Sequence, residues 1–342
     1  MTAPRNRQVI LVSRPEGIPQ AANFALREAP LPALQDGEIL VHNHLLSVDP
    51  AMRGWVSAVA NYAKPVGIGE VMRSFAPGEV LESRHPDFAA GERVSGLFGW
   101  QDYAAVAPSA VTRKVVEQNL PLSASLGVLG LNGTTAYFAL LEIGQPKPGE
   151  TVVVSTAAGA VGFIVGQIAK LKGCRTIGIT GGLEKRRQCL EEFGYDAALD
   201  YKAGPIDAVL AEAAPDGVDI YFDNTAGPIS DAVLRQLAVR ARVVICGTAS
   251  LSSWDPWPQG PRVERHLLVK RTRMQGFLIF DHAERTEGAV AQLADWVRAG
   301  SLAYREDILD GIAEAPGAIA RLYRGENSGK LLIRLLHQET LA

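Results

Sequence analysis

Thr151-Val152-Val153-Val154-Ser155-Thr156 runs directly into Ala157-Ala158-Gly159-Ala160-Val161-Gly162, and the reading of these twelve residues decides the fold. The first half is apolar, rich in β-branched residues and preceded by Pro148-Gly149, which predicts a buried strand of a parallel sheet. From Phe163 to Lys172, Ile164, Val165, Ile168 and Leu171 repeat at helical spacing. Strand, tight small-residue turn and helix form the setting of a dinucleotide fingerprint. Gly159 and Gly162 stand as its second and third glycines, and Ala157 occupies the place of the first. Such glycines let the backbone approach a pyrophosphate, and the helix N-terminus offers N–H groups to the anion.

A second strand is expected over Arg175 to Thr180. An acid that binds the adenosine ribose belongs at its end, about 20 residues past the glycines. The chain reads Thr180-Gly181-Gly182-Leu183-Glu184-Lys185 instead. A carboxylate there would bond the ribose hydroxyls of NAD and repel a 2′-phosphate. Small residues followed by a cation leave room and charge for that phosphate, so NADP(H) is expected over NAD(H). Lys185 also fits a solvated first helical turn.

The chain has 342 residues, 47% hydrophobic and 21% charged, with a formal net charge of −3. That predicts a globular protein of roughly two domains with ample core. The charge balance argues against a nucleic-acid or membrane-surface partner. Cys174, Cys189 and Cys246 show no metal or redox spacing and fit a reduced, cytoplasmic compartment. Met1 to Arg7 lacks the apolar core of a signal peptide, and no segment has the length and apolarity of a membrane span.

Before the fingerprint the chain reads as short strands between Pro/Gly turns: Gln8 to Val12, Gly37 to Val48, Gly67 to Met72, Gly78 to Ser83, Arg93 to Phe98 and Tyr103 to Val106. Composition shifts near Leu126, and Gly127 to Leu141 reads as helical. Past Lys185 the doubly wound rhythm continues. Helices are expected over 186–193, 206–213, 229–237 and 287–299, and strands over 197–199, 218–222, 242–246 and 274–280. Ligand groups in such sheets gather beyond the carboxyl ends of the strands, which draws in Asn224, Cys246, Gly247 and Thr248. Lys330 to Leu336 is expected to be a strand that rejoins the β-rich part. The expected fold is α/β: a doubly wound parallel Rossmann sheet over 126–303, and a mostly β substrate domain built from 1–125 and 304–342.

Ser47-Val48-Asp49-Pro50-Ala51-Met52-Arg53-Gly54, Gly69-Glu70-Val71-Met72, Gly99-Trp100-Gln101-Asp102-Tyr103 and Ala157 to Gly166 occur in the order and spacing of a known family. Together they resemble the zinc-free branch of the medium-chain dehydrogenase/reductases that contains prostaglandin reductase, plant 2-alkenal reductase and bacterial curcumin reductase. The resemblance spans nearly the whole chain and implies a GroES-like substrate domain, a homodimer and NADPH-dependent reduction of the C=C bond of enals and enones. It implies pyrophosphate contacts at Gly159 to Gly162 and 2′-phosphate contacts at Lys185 and Tyr201. Further cofactor contacts are implied at Asn224, Cys246, Gly247, the Phe277-Leu278-Ile279 backbone and Asn327. Two departures stand out. Ala51 replaces the tyrosine that usually lines the substrate pocket. The loop Thr248-Ala249-Ser250-Leu251-Ser252-Ser253-Trp254-Asp255-Pro256-Trp257-Pro258 lacks the tyrosine proposed to handle the proton.

Enone reduction needs hydride delivery, stabilisation of the developing enolate and a proton for the α-carbon. Ser252 or Ser253 can donate a hydrogen bond to the enolate, and Tyr62 is a candidate acid. A tyrosine there also reads as ordinary packing. Trp254 and Trp257 can wall an apolar pocket or serve an interface. The basic run Arg262, Arg265, His266, Lys270, Arg271 and Arg273 reads as a solvated face. His42 and His44 alternate on one strand, but no cysteine precedes Cys174 and no four-cysteine lobe exists, so no metal is expected. Two rival readings remain: a quinone reductase on the same fold, and a non-catalytic NADPH-binding protein.

Overall fold

The computed structural model describes residues 5–59, 62–251 and 256–336. The chain divides into two compact units, Met1–Leu126 with Glu306–Ala342, and Gly127–Arg305.

The first unit opens with β1 (Arg5–Leu11), paired antiparallel to β2 (Phe24–Pro30). The expected single strand over 37–48 is two, β3 (Ile39–Asn43) and β4 (Leu45–Ser47), because the chain bends at His44. That bend sends β3 and β4 into different sheets. The short helix α1 (Met52–Val56) is buried along its whole length. β5 (Ala76–Ser83), β6 (Arg93–Gly96), β7 (Tyr103–Val106) and β8 (Val111–Lys114) then complete an antiparallel sheet in the order β7-β3-β5-β6-β8. Gly67 to Met72 is not the strand that was expected. It turns through a left-handed Gly69 and makes one bridge, from Val71 to Ile10.

The second unit begins with α2 (Leu131–Phe138), which widens into a π-turn over Ala139–Gly144. Six strands follow, alternating for the most part with helices: β9 (Thr151–Ser155), α3 (Gly162–Leu171), β10 (Arg175–Thr180), α4 (Leu183–Glu191), β11 (Ala197–Asp200), α5 (Ile206–Ala213), β12 (Val218–Asp223), α6 (Gly227–Leu234), β13 (Leu237–Ile245), α7 (Glu264–Lys270) and β14 (Arg273–Gly276). The basic run expected to be a solvated face therefore includes a helix, α7. The strand expected over 274–280 ends at Gly276, and a 3₁₀ turn takes over from Ile279. The long helix α8 (Thr286–Arg298) closes the unit.

The six strands form one parallel sheet in the order β11-β10-β9-β12-β13-β14. Val152, Val153 and Val154 at its centre have no exposed surface, as a strand covered on both faces requires. β10 lies on one side of β9 and β12 on the other, so the winding reverses beside β9, where open α/β sheets hold their ligands. The fold is thus α/β, a doubly wound parallel sheet together with a mostly β unit. The chain returns to the first unit through β15 (Glu306–Asp310), α9 (Ala315–Arg324) and β16 (Lys330–Arg334), and β16 pairs with both β15 and β4. Among the described residues, no helix is long and apolar enough to cross a membrane.

Candidate active site

The turn between β9 and α3 is built for close backbone approach. The sequence lacks a first glycine, and the structure places the left-handed residue one position earlier, at Thr156 (φ 53°). Gly162 is forced by packing: a Cβ there would lie 2.2 Å from the Thr156 carbonyl oxygen. The Gly159 N–H folds back onto that same oxygen at 2.8 Å. Among the described residues, the N–H groups of Ala160, Val161 and Gly162, at the start of α3, find no backbone acceptor. An anion fits such a cradle.

One corner gathers beyond β10 and β11. The Tyr201 N–H bonds Thr180 O at 3.1 Å, and its ring lies so near Gly181 that a Cβ there would meet it at 3.0 Å. Lys185 is half-buried in the first turn of α4. Sequence reading missed two groups in this corner. Asp200 accepts the Gly182 N–H at 2.8 Å and the Lys202 N–H at 2.9 Å, and those bonds hold its carboxyl below the ordinary range, helped by the charges of Lys202 and Arg186. Lys202 itself adds a cation beside Tyr201. Both lie one strand away from the sought acid position, which is why spacing along the chain did not find them. Beside Tyr201 a cavity of about 350 Å³ is lined by Pro205, Ile206, Pro228, Ile229 and Asp231.

A second cluster forms where β9, β12 and β13 end. Asn224 Nδ2 donates to Ser155 O at 2.7 Å, and the Asn224 N–H donates to Ser155 Oγ at 2.8 Å. The N–H groups of Cys246 and Gly247 donate to Asp223 O at 2.8 and 3.1 Å. Gly247 is again a matter of space, since its Cβ would stand 2.7 Å from Asn224 O. Thr248 is exposed, and its carbonyl turns the loop by accepting the Leu251 N–H. Ser250, which sequence reading passed over, pins this loop by donating to Thr225 O and Ala226 O, both at 2.8 Å. Burial pushes the Cys246 thiol up to about 12, with the Asp223 carboxylate adding to it. Phe277, Leu278 and Ile279 are half-buried just beyond β14. The Phe277 N–H bonds Ile245 O, and its ring stacks on His282.

In the first unit, Ala51 sits between two anchored points. Asp49 Oδ1 lies 2.5 Å from Lys330 Nζ, both are buried, and the ammonium also donates to Ser47 Oγ and Val48 O. One turn on, buried Arg53 lies over the Tyr323 ring, and the Tyr323 hydroxyl donates to Pro50 O at 3.1 Å. Burial raises the Tyr323 phenol above its usual range, against the opposing charge of Arg53. Tyr62 is 54% exposed and belongs to the same unit as Tyr323. Asn327 is buried in the same unit, its Nδ2 donating to Gly329 O at 2.7 Å. His42 stacks on Tyr103, with ring centroids 4.6 Å apart. Among the described residues, no three His, Cys, Asp or Glu side chains gather as metal ligands would. Trp257 is 75% exposed in the second unit. Ser252, Ser253 and Trp254 lie outside the described residues.

Comparison with known proteins agrees with this architecture. Residues 7–114 match the model for the N-terminal domain of oxidoreductase, and residues 160–295 match the zinc-binding dehydrogenase model. The chain is 43% identical to the NADPH-dependent curcumin reductase of Escherichia coli over 336 residues, covering 97% of each. It is 35% identical to the NADP⁺-dependent 2-alkenal reductase of Nicotiana tabacum over 96% of this chain and 97% of that one. The crystal structure of CurA from Vibrio vulnificus in complex with NADPH superposes with a TM-score of 0.91 at 42% identity, over 97% of this chain and 99% of that one. The chain therefore belongs to the medium-chain dehydrogenase/reductase family, in the branch that holds the curcumin, prostaglandin and 2-alkenal reductases.

Proposed function

We propose that this protein is an NADPH-dependent reductase of the C=C bond of α,β-unsaturated aldehydes and ketones. The observation that carries the cofactor half is the corner of Gly181, Gly182, Lys185 and Tyr201, where small residues and cations stand in place of a ribose-binding acid. Lys202 strengthens that reading, and Asp200 does not reverse it, because its Oδ1 is turned to two backbone N–H groups and its charge is set against those of Lys202 and Arg186. The N–H groups of Ala160, Val161 and Gly162 would take the pyrophosphate. The cavity beside Tyr201, with Pro205, Ile206, Pro228 and Ile229 as apolar walls and Asp207, Asp231 and Arg235 at its polar side, would take the adenine ring. Asn224, Cys246, Gly247 and Thr248 would border the nicotinamide riboside, with the Phe277-Leu278-Ile279 backbone. In this reading Gly127–Arg305 binds the dinucleotide.

When bound, the cofactor supplies a hydride equivalent to the β-carbon of the substrate. The protein's share is position and electrostatics. Ser250 and Asn224 hold the strand-end loops rigid, so that the reacting geometry is preorganised. The enolate that forms needs a hydrogen-bond donor, a role for Ser252 or Ser253, and its α-carbon takes a proton from water or from Tyr62. Loss of the pocket tyrosine at Ala51 leaves a wider wall there, which favours bulky enones. Relatives named curcumin reductase and 2-alkenal reductase support the class of reaction. The test is NADPH oxidation, followed by absorbance, with enals, enones, nitroalkenes and quinones. Turnover of enones and enals with saturated carbonyl products is expected. Turnover of quinones alone would make the protein a quinone reductase, and no turnover with tight NADPH binding would make it a binding protein.

A further inference from the structure

We propose that the Asp223 carboxylate sets the redox balance of the site, favouring the positively charged oxidised nicotinamide over the neutral reduced ring; this rests on the cofactor reading above. Asp223 ends β12 and is 1% exposed. Its Oδ1 accepts the N–H groups of Thr225 and Ala226 at 2.8 and 2.9 Å, the Tyr221 hydroxyl at 3.0 Å, and the Ser155 and Thr225 hydroxyls at 3.3 Å. Its Oδ2 accepts the Ser230 hydroxyl. Every one of these partners is a neutral donor, and among the described residues no cation pairs with it.

Burial of an unpaired charge is costly, and a fold that needed only a turn anchor could use a neutral residue there. The charge is held instead by oriented dipoles, including the start of α6, which follows at Gly227. Such dipoles stabilise a carboxylate without cancelling its field at a distance, as a paired lysine would. That field acts where oxidation creates charge. Asp223 pairs in register with Ile245, and its own carbonyl takes the N–H groups of Cys246 and Gly247. Neighbouring strands are about 4.8 Å apart, so a ring held by Cys246 and Gly247 would lie on the order of 10 Å from Asp223. Hydride loss turns a neutral dihydropyridine into a pyridinium cation, so a nearby fixed negative charge stabilises the product form and makes the reduced form a stronger donor.

A unit charge felt at about 10 Å through an effective dielectric of about 20 is worth roughly tenfold in an equilibrium. For a two-electron couple, tenfold corresponds to about 30 mV in the potential of the bound cofactor. The experiment measures dissociation constants of NADP⁺ and NADPH by calorimetry for the wild type, Asp223→Asn and Asp223→Ser. The serine hydroxyl keeps an acceptor for the turn N–H groups if asparagine does not fold. Both neutral variants are expected to weaken NADP⁺ about tenfold relative to NADPH. Tyr221→Phe, which removes one donor and keeps the charge, should leave that ratio within twofold. Equal weakening of both forms by the neutral variants would make Asp223 a turn anchor and overturn the proposal. So would a wild type that prefers NADPH over NADP⁺ by more than tenfold. A wild type that binds neither form would instead refute the cofactor reading itself.

Discussion

Replacing Lys185 by alanine should weaken NADPH and leave NADH almost unchanged. Lys185 is half-buried in the first turn of α4, next to the Gly181-Gly182 corner that Tyr201 closes. A charge-assisted hydrogen bond contributes about 1.5–3 kcal/mol, which is roughly 10- to 100-fold in affinity. Partial exposure and the neighbouring cation Lys202 draw the expectation toward the lower end, about tenfold. Titration of NADPH fluorescence against the wild type and Lys185→Ala measures it, with NADH as the reference and Lys202→Ala as a companion. If Lys185→Ala weakens both cofactors equally, the lysine is structural and the argument from this corner fails.

Three further outcomes follow from the site and its frame. Tyr62→Phe should lower kcat less than threefold, since Tyr62 is half-exposed and water can reach the same place; a loss of about 10² would make it the general acid. Exhaustive chelation should leave activity intact and elemental analysis should find substoichiometric zinc, because His42 stacks on Tyr103 and has no cysteine upstream of Cys174 to share a metal with; one zinc per chain would contradict this. Burial works to raise the Glu150 carboxyl, but hydrogen bonds from Arg242 and the Lys147 N–H outweigh it and hold the carboxyl below the ordinary range. A depressed folded value means stability that is present above the unfolded value and lost as pH falls through the folded one. Glu150→Gln should therefore cost about 1–2 kcal/mol at pH 7 and progressively less as pH falls below the ordinary carboxylate range, by thermal melts across a series of acid pH values.

The parallel sheet was legible because its central strands are continuous apolar runs, with Val152 to Val154 the clearest. Strand ends were harder. Nothing in Phe277-Leu278-Ile279-Phe280 marks the place where β14 stops, since the sequence stays apolar while the chain leaves the sheet. β2 went unread because Leu26 to Glu28 is exposed and carries charge, so its pairing with β1 has no hydrophobic alternation to announce it. The glycines and Lys185 announced themselves by spacing along the chain. Asp200, Asp223 and Ser250 did not, because each acts through a neighbour on another element. The Lys330–Asp49 pair was hidden for the same reason, with its partners at opposite ends of the sequence.

The central claim is that a hydride passes to the β-carbon of an activated alkene. It is tested most directly by turning over an enone with NADPH deuterated at the transferable C4 position and locating the label by NMR. The account predicts a saturated ketone with deuterium on the β-carbon and a solvent proton on the α-carbon. Deuterium on the carbonyl carbon of an alcohol product, or an unlabelled product, would contradict it.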